Sequence, residues 1–283
     1  MSHAAIVGAG ELGGAIAHLL ARRDVAGAIT LIDETGRVAS GKALDIAQAA
    51  PIEGFATQLT GSTDFSSAAG AAVVVIAERV SGGEWQGAGT EDGLLLLKRL
   101  AQTAPGAAIV CAGASARELV DRGVRELKMS RTRLFGSAPE ALAGGARALA
   151  ALAVNGSPRD VVLTVLGVPP AHVVIPWEDA TIAGFGLTRL IDQPAQRRLS
   201  AKVTALWPPG PHALAAAAVK AIESIAGRHR QAISCFVAPD ADTAARTRTV
   251  ALPVRLGPMG IVDVMLPLLT VAEQVQLDNA MMT

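Results

Sequence analysis

The sequence predicts an α/β protein with a doubly wound parallel sheet, followed by an α+β domain. Two observations lead to this fold class. Short apolar runs alternate with helix-like patterns from the first residues onward, which is the pattern of parallel strands joined by crossover helices. The first apolar run also ends in a glycine motif, Gly8-Ala9-Gly10-Glu11-Leu12-Gly13. A glycine turn between a strand and a helix is typical of a dinucleotide-binding unit.

The opening unit predicts a buried strand, a tight turn and the start of a helix. Gly8 makes the turn, Gly10 lets the backbone approach a pyrophosphate, and Gly13 lets the helix lie close to the strand. The free N–H groups and the dipole at the start of the helix favour the phosphates. The alternative is an ordinary strand–helix–strand unit in which the glycines serve only packing.

A second apolar run, residues 28–32, ends in Asp33, twenty residues beyond Gly13. A carboxylate at this spacing accepts hydrogen bonds from the adenosine ribose in dinucleotide folds. Asp33 and Glu34 together disfavour a 2′-phosphate, so the sequence predicts NAD rather than NADP as the cofactor.

The remaining elements of the first half follow in alternation and complete six strands. We expect a glycine-rich mobile loop at residues 78–89, after the fourth strand, in which Trp85 either closes over a ligand or anchors the loop at rest. The other predicted elements are a helix over 36–50 ending at Pro51, strands at 55–59, 71–77, 107–112 and 132–135, and helices at 94–100 and 118–127.

The second half begins near residue 140, which gives predicted domains of 1–140 and 141–283. Its final helix starts from Thr270, with Glu273 three residues on as a capping box. The other predicted elements are helices at 138–153, 195–206 and 212–226, and strands at 161–166, 172–175, 231–237 and 248–256.

Composition excludes several classes of protein. The 283 residues contain 25 Lys and Arg against 25 Asp and Glu, so no basic excess indicates a nucleic-acid partner. Cys111 and Cys235 lie in separate apolar runs, so we expect both to be small residues of the core in a protein from a reducing compartment. No other candidate ligand lies near them at the spacing of a metal site. The sequence shows neither a signal peptide nor a membrane-spanning run, so we expect a cytoplasmic protein.

Several strings, in the right order, resemble the lactate/malate dehydrogenase family across nearly the whole chain. The most specific are Gly41-Lys42-Ala43-Leu44-Asp45-Ile46 and the late run 252–261. The resemblance implies a Rossmann-type NAD-binding domain, a carboxy-terminal substrate domain, a nominal oxidoreductase, and a homodimer or homotetramer. The implied cofactor-binding residues are Gly8, Gly10, Glu11, Leu12, Gly13, Asp33 and Ala77.

The resemblance fails at the positions that carry the family's chemistry. A histidine, oriented by an aspartate, should exchange a proton with the substrate, and arginines should hold the substrate carboxylate. Pro169 stands in the place of the histidine, and Leu142 and Gly145 stand in the places of the aspartate and an arginine. The mobile loop lacks its arginines between residues 81 and 89, and residues 112–115 replace a Ser-Asn-Pro string.

Three hypotheses follow from this mixture of retained and replaced residues. The first is an NAD-binding member of the family without the usual 2-hydroxy-acid chemistry. The second is an active NAD-dependent oxidoreductase on an unusual substrate, with His172 or His212 as the acid/base. The third is a non-catalytic structural subunit.

Overall fold

The structure is a computed structural model, and it describes residues 1–77, 91–240 and 247–283. The helices within these ranges are α1 (Glu11–Arg22), α2 (Gly36–Glu53), α3 (Glu91–Thr103), α4 (Ala116–Arg125), α5 (Ala138–Ala153), α6 (Gln193–Thr204), α7 (Pro211–Ile225) and α8 (Val271–Met281). The strands are β1 (His3–Val7), β2 (Ala28–Ile32), β3 (Gln58–Ser62), β4 (Val73–Ile76), β5 (Ala108–Cys111), β6 (Leu134–Gly136), β7 (Val161–Val162), β8 (Leu166–Val168), β9 (His172–Val174), β10 (Thr181–Ile182), β11 (Phe185–Gly186), β12 (Ile233–Val237), β13 (Val250–Gly257) and β14 (Gly260–Val264).

The first six strands form the predicted doubly wound sheet. Their order is β3-β2-β1-β4-β5-β6, and every pairing between them is parallel. The strand order reverses beside β1, which begins the chain. Ligands bind at such a point, outside the carboxyl ends of the strands, so this topology places the glycine motif at the expected edge.

The sheet continues without a break into the second half of the chain. Strand β12 pairs antiparallel with β6 through Phe236 and Gly136, and β13, β8 and β9 follow on the far side of β12. Strand β14 pairs with β13, and β7, β10 and β11 form a separate small sheet. The predicted boundary at residue 140 falls inside α5, and it stays a prediction.

Three predicted elements need correction. Helix α2 continues past Pro51 to Glu53. The helix ends at Gly54, whose φ is +78° and whose N–H donates to the Ala50 carbonyl. Strand β3 begins three residues later than predicted, since Phe55 packs into the core from the preceding loop. The predicted strand at 161–166 is divided between β7 and β8.

The two halves are packed together through α1 and α7. Both helices present small residues at their contact, which lets their backbones approach closely. At the far end of the contact, the Arg23 guanidinium donates to the Glu223 carboxylate at 3.0 Å. Glu223 also lies 3.2 Å from His229. Buried apolar residues therefore hold the two halves together, and an ion pair connects the ends of the two helices.

Both cysteines are buried free thiols, as predicted. Burial raises the pKa of Cys235, and the negative charge of Glu140 acts in the same direction while Lys220 opposes it. The predicted loop at 78–89, including Trp85, lies outside the described residues. No helix in the described part of the chain is both long enough and apolar enough to cross a membrane.

Candidate dinucleotide site

The turn after β1 requires glycine at its first position. Gly8 has a φ of +97°, in the left-handed region, and its N–H donates to the Ile32 carbonyl at 2.8 Å. A Cβ added to Gly8 would lie 2.5 Å from the carbonyl oxygen of Ala77. The turn is therefore held against the ends of both neighbouring strands, and a side chain would push it away.

The start of α1 is pressed against this turn. A Cβ at Gly13 would lie 1.8 Å from the Gly8 carbonyl oxygen, so only glycine allows the helix to come this near. Gly10 precedes the helix in an extended conformation, and no side chain in the described ranges caps the helix there. Glu11 is exposed in the first turn, whereas the Leu12 side chain is fully buried and leaves only its backbone for a ligand.

Asp33 directly follows β2, beside the same turn. Its carboxylate accepts the N–H of Ala9 at 2.9 Å and the N–H of Thr35 at 3.0 Å. The side chain is nearly buried, and these two bonds set the direction in which the carboxylate points. Asp33 is therefore held in a fixed orientation at the edge of the sheet, with its carboxylate oxygens as acceptors.

A cavity of about 470 Å³ opens in front of Asp33. Ligand sites occupy roughly 300–1,000 Å³. The strand ends form its floor, and α3 forms one wall. The cavity is lined by Val7, Gly8, Ile32, Asp33, Glu34, Phe65, Ile76, Ala77, Asp92, Leu95, Leu96 and Arg99.

Sequence reasoning missed the wall of this cavity. The Arg99 guanidinium lies 5.9 Å from the centroid of the Phe65 ring, and both residues line the cavity. Phe65 follows β3 and Arg99 lies in α3, so the two are distant in sequence. Arg99 points to the cavity only because it shares a helix face with Leu95 and Leu96, a spacing of three to four residues.

The two candidate histidines lie apart from this cavity. His172 begins β9 and is partly buried, while His212 is exposed in the first turn of α7. Neither residue lines the cavity at Asp33. No group of three His, Cys, Asp or Glu side chains in the described ranges could hold a metal ion.

The positions around α5 are closely packed. Leu142 is fully buried within the apolar cluster of the second half. A Cβ at Gly145 would lie 2.6 Å from the Leu206 Cδ1, so a larger side chain there must displace Leu206. Pro169 is buried in the turn between β8 and β9. Arg147, also in α5, pairs with the buried carboxylate of Glu140.

Residues 2–95 match the family model described as the lactate/malate dehydrogenase NAD-binding domain. The chain is 31% identical over 201 residues to a malate dehydrogenase of Thermomicrobium roseum, covering 68% of this chain and 63% of that one. It is 50% identical over 72 residues to a malate dehydrogenase of Syntrophotalea carbinolica, covering 25% of this chain and 22% of that one. Both matches span less than two thirds of the relative's length.

Solved structures match along almost the full chain. A malate dehydrogenase structure from Salinibacter ruber has a TM-score of 0.85 at 23% identity, covering 98% of this chain and 93% of that one. A lactate dehydrogenase from Cryptosporidium parvum, complexed with lactic acid and nicotinamide adenine dinucleotide, has a TM-score of 0.87 at 20% identity, covering 99% and 94%. The family model and the two relatives point to the lactate/malate dehydrogenase family, and the solved structures show that the chain has the same fold as these enzymes.

The match of residues 2–95 to an NAD-binding domain supports NAD as the cofactor, and the residues present fit it. The uncapped start of α1, from Gly10 onward, offers backbone N–H groups to a pyrophosphate, while the Gly8 and Ala9 N–H groups are already bonded within the protein. The Asp33 carboxylate is an acceptor of the kind that a ribose hydroxyl needs. The cavity is lined by three acidic residues, Asp33, Glu34 and Asp92, against one basic residue, Arg99, and this net negative charge disfavours a 2′-phosphate.

An orphaned hydroxyl lies at the same edge of the sheet. Ser137 follows β6, and its buried Oγ has no hydrogen-bond partner within the ranges that the structure describes. A buried hydroxyl is normally satisfied by protein, water or ligand. Its place after a parallel strand is consistent with a ligand along the carboxyl ends of the strands.

Proposed function

We propose that this chain binds NAD in its first half and lacks the usual 2-hydroxy-acid dehydrogenase chemistry of the lactate/malate dehydrogenase family. The observation that carries the second part is Pro169, which stands where the resemblance puts the catalytic histidine. A proline ring has no group that exchanges a proton near neutral pH, so it cannot serve as the acid/base.

The positions around Pro169 support the same proposal. Leu142 occupies the position at which the resemblance puts the orienting aspartate. It lies in a fully buried apolar cluster, where an unpaired charge is costly. Gly145 occupies the position at which the resemblance puts the arginine for the substrate carboxylate. Leu206 limits the space for any side chain at that position. Three roles that act together in the family therefore have no suitable side chain at the aligned positions.

The residues of the first half would bind and orient the cofactor. NAD, when bound, supplies hydride transfer at its nicotinamide ring. Asp33 would accept from a ribose hydroxyl, the backbone around Gly8 and Gly10 would hold the pyrophosphate, and Ala77 would line the path between them. Binding of this kind also fits a sensing or scaffolding role.

The first experiment is a calorimetric titration of the purified protein with NADH, repeated with NADPH. We expect saturable NADH binding and NADPH binding at least about tenfold weaker, because a 2′-phosphate would face the carboxylates of Asp33 and Glu34. Absence of binding with both nucleotides would reject the proposal and favour the structural-subunit hypothesis.

The second experiment measures turnover with malate and with lactate in the presence of NAD. We expect no rate above the enzyme-free background. Reduction of NAD with either substrate would contradict the proposal and favour the active oxidoreductase, with His172 or His212 as the acid/base. The variants His172→Ala and His212→Ala would then test that alternative. If both variants kept full turnover, neither histidine would be the acid/base.

The cytoplasmic location and the homodimer or homotetramer implied by the resemblance stay predictions. Size-exclusion chromatography with light scattering would determine the oligomeric state directly.

A further inference from the structure

A second cavity, of about 770 Å³, lies at the carboxyl end of α4. We call it the α4 pocket. Its lining comes from the last turns of α4, from residues 126–131 between α4 and β6, and from Pro239 and Arg248, which follow β12 and precede β13. The volume lies within the range of roughly 300–1,000 Å³ for ligand sites.

The α4 pocket lies at the opposite edge of the sheet from the glycine turn. The turn follows the carboxyl end of β1, whereas residues 126–131 precede the amino end of β6, which is parallel to β5. Strand β12 runs antiparallel to β6, so Pro239, beyond its carboxyl end, lies at the same edge as the start of β6. The two cavities share no lining residue. A ligand in the α4 pocket would therefore leave the dinucleotide cavity unoccupied.

Cations outnumber carboxylates around the α4 pocket. The lining contains five basic side chains, namely Arg122, Arg125, Lys128, Arg131 and Arg248. It contains two acidic side chains, Asp121 and Glu126. Two further carboxylates contact the cations, since Glu91 pairs with Arg122 and Asp240 pairs with Arg131. Positive charge is in excess even when these two carboxylates are counted with the lining.

Three of the cations keep donors that these carboxylates do not take up. The Lys128 ammonium is exposed and makes no hydrogen bond or ion pair with a residue in the described ranges. The Arg125 guanidinium donates to Asp121 at 3.4 Å, and the Arg248 guanidinium lies 3.8 Å from the same carboxylate. The other oxygen of Asp121 accepts from the N–H and the hydroxyl of Thr249. Since a guanidinium has five N–H donors, both arginines retain donors for a ligand.

The rest of the lining is largely apolar. Val124, Met129 and Pro239 are partly buried, and the first two pack against the core cluster behind α4. A methionine side chain is flexible and makes favourable contacts with aliphatic and aromatic groups. The pocket therefore offers an apolar surface beside its cations, which suits a molecule that carries both an anionic group and an apolar group.

One side of the pocket is partly shielded from water. The Arg122 and Arg131 side chains are only 23% and 25% exposed. Burial lowers the pKa of Arg131, which is the effect expected when a cation loses water. Charge interactions are stronger in such a place than in bulk water, so an anion that enters the pocket gains more there than at an open surface.

We propose that the α4 pocket binds a small amphipathic anion. Its oxyanion group, a phosphate, sulfonate or carboxylate, lies between Lys128, Arg125 and Arg248. Oxyanions accept short, charge-assisted hydrogen bonds from ammonium and guanidinium groups. The ring or aliphatic chain of the ligand lies on the apolar part of the lining, and its burial there adds to the affinity.

The test is calorimetric titration of the full chain at low salt with phenyl phosphate, inorganic phosphate and benzyl alcohol. We expect saturable binding of phenyl phosphate with a Kd below about 1 mM, and binding at least about tenfold weaker for the other two probes. Inorganic phosphate lacks the apolar group, and benzyl alcohol lacks the charge. Absence of saturable phenyl phosphate binding would overturn the proposal, as would equal affinity for either of the other probes.

Four variants locate the binding. Lys128→Gln and Arg248→Gln should each weaken phenyl phosphate binding at least about fivefold, because one charge-assisted hydrogen bond is lost. Glu126→Gln should tighten it about fivefold, because an opposing charge is removed from the lining. Lys202→Gln is the matched control. It makes the same change at an exposed lysine in α6, outside the pocket, and should leave the affinity unchanged.

Lys128 and Arg248 are exposed, so their replacement leaves the fold intact and keeps the test decisive. NADH titration of Lys128→Gln should give the same result as for the unmodified protein, since the two cavities lie at opposite edges of the sheet. Phenyl phosphate binding that neither Lys128→Gln nor Arg248→Gln weakens would belong to another surface and would reject the proposal.

Discussion

The two halves of the molecule use their buried carboxylates in opposite ways. In the first half, Asp33 bonds to two backbone N–H groups and lies at the wall of a cavity. In α5, where the chain passes into the second half, Glu140 is enclosed by Arg147, Lys220 and the Ser234 backbone. One half presents a charged acceptor to a ligand, and the other uses its charge to hold its own elements together. The two halves nevertheless share one continuous sheet, which passes from β6 to β12.

The strongest test of this contrast is Glu140→Ala. The change leaves two cations and one backbone N–H without their partner in a buried place, so we expect a loss of about 3–5 kcal/mol in the free energy of unfolding. Urea denaturation would measure it. The matched control is Glu91→Ala, whose exposed pair with Arg122 should contribute too little to change the midpoint. A small effect at Glu140 would show that the second half does not depend on this carboxylate.

The first half should be most sensitive where backbone approaches backbone. Gly13→Val places a side chain against the Gly8 carbonyl oxygen, and we expect a loss of about 3 kcal/mol in the free energy of unfolding. Gly14→Ala is the control, because the three atoms nearest to its Cβ would all belong to the flexible Lys42 side chain, with Cδ at 2.9 Å. Equal unfolding midpoints for the two variants would mean that the turn accommodates the larger side chain without loss of stability.

Asp33→Asn should separate ligand binding from stability. We expect the NADH affinity to fall about tenfold, since a charged acceptor for the ribose hydroxyl is lost. Asp24→Asn is the matched control, because the Asp24 carboxylate also accepts a backbone N–H, from Ala56 at 3.1 Å, but lies outside the cavity lining. An NADH affinity unchanged by Asp33→Asn would place the contrast between the halves in doubt.

The smallest effect is expected at the last helix. Thr270 and Glu273 form the predicted capping box, with the Thr270 N–H donating to Glu273 Oε2 at 2.7 Å. Thr270→Ala should cost about 1 kcal/mol, whereas Thr270→Ser should keep the cap. Only Leu277 and Ala280 of α8 are buried, so hydrogen exchange should show the loss in α8 alone. A loss spread over the whole sheet would show that α8 supports the second half more widely.

Much of the fold was predictable because its signals are local. Helix α5 matches its predicted range, and the six strands of the first half occur in the predicted order, since apolar runs and periodicities reflect neighbours in sequence. The errors have local causes too. Pro51 indicated a helix end that Gly54 provides instead, and the apolar Phe55 belongs to a buried loop rather than to β3.

The sequence alone determined the doubly wound sheet, the glycine turn and the carboxylate of Asp33, because each depends on residue types at fixed spacings along the chain. Only the tertiary structure decided where the sheet passes from β6 to β12, which side chains wall the cavity, and what surrounds Glu140. Lys220 lies 80 residues from Glu140, and Ser234 lies 94 residues from it. Electrostatic interactions depend on distance in space, and packing of the whole chain sets that distance.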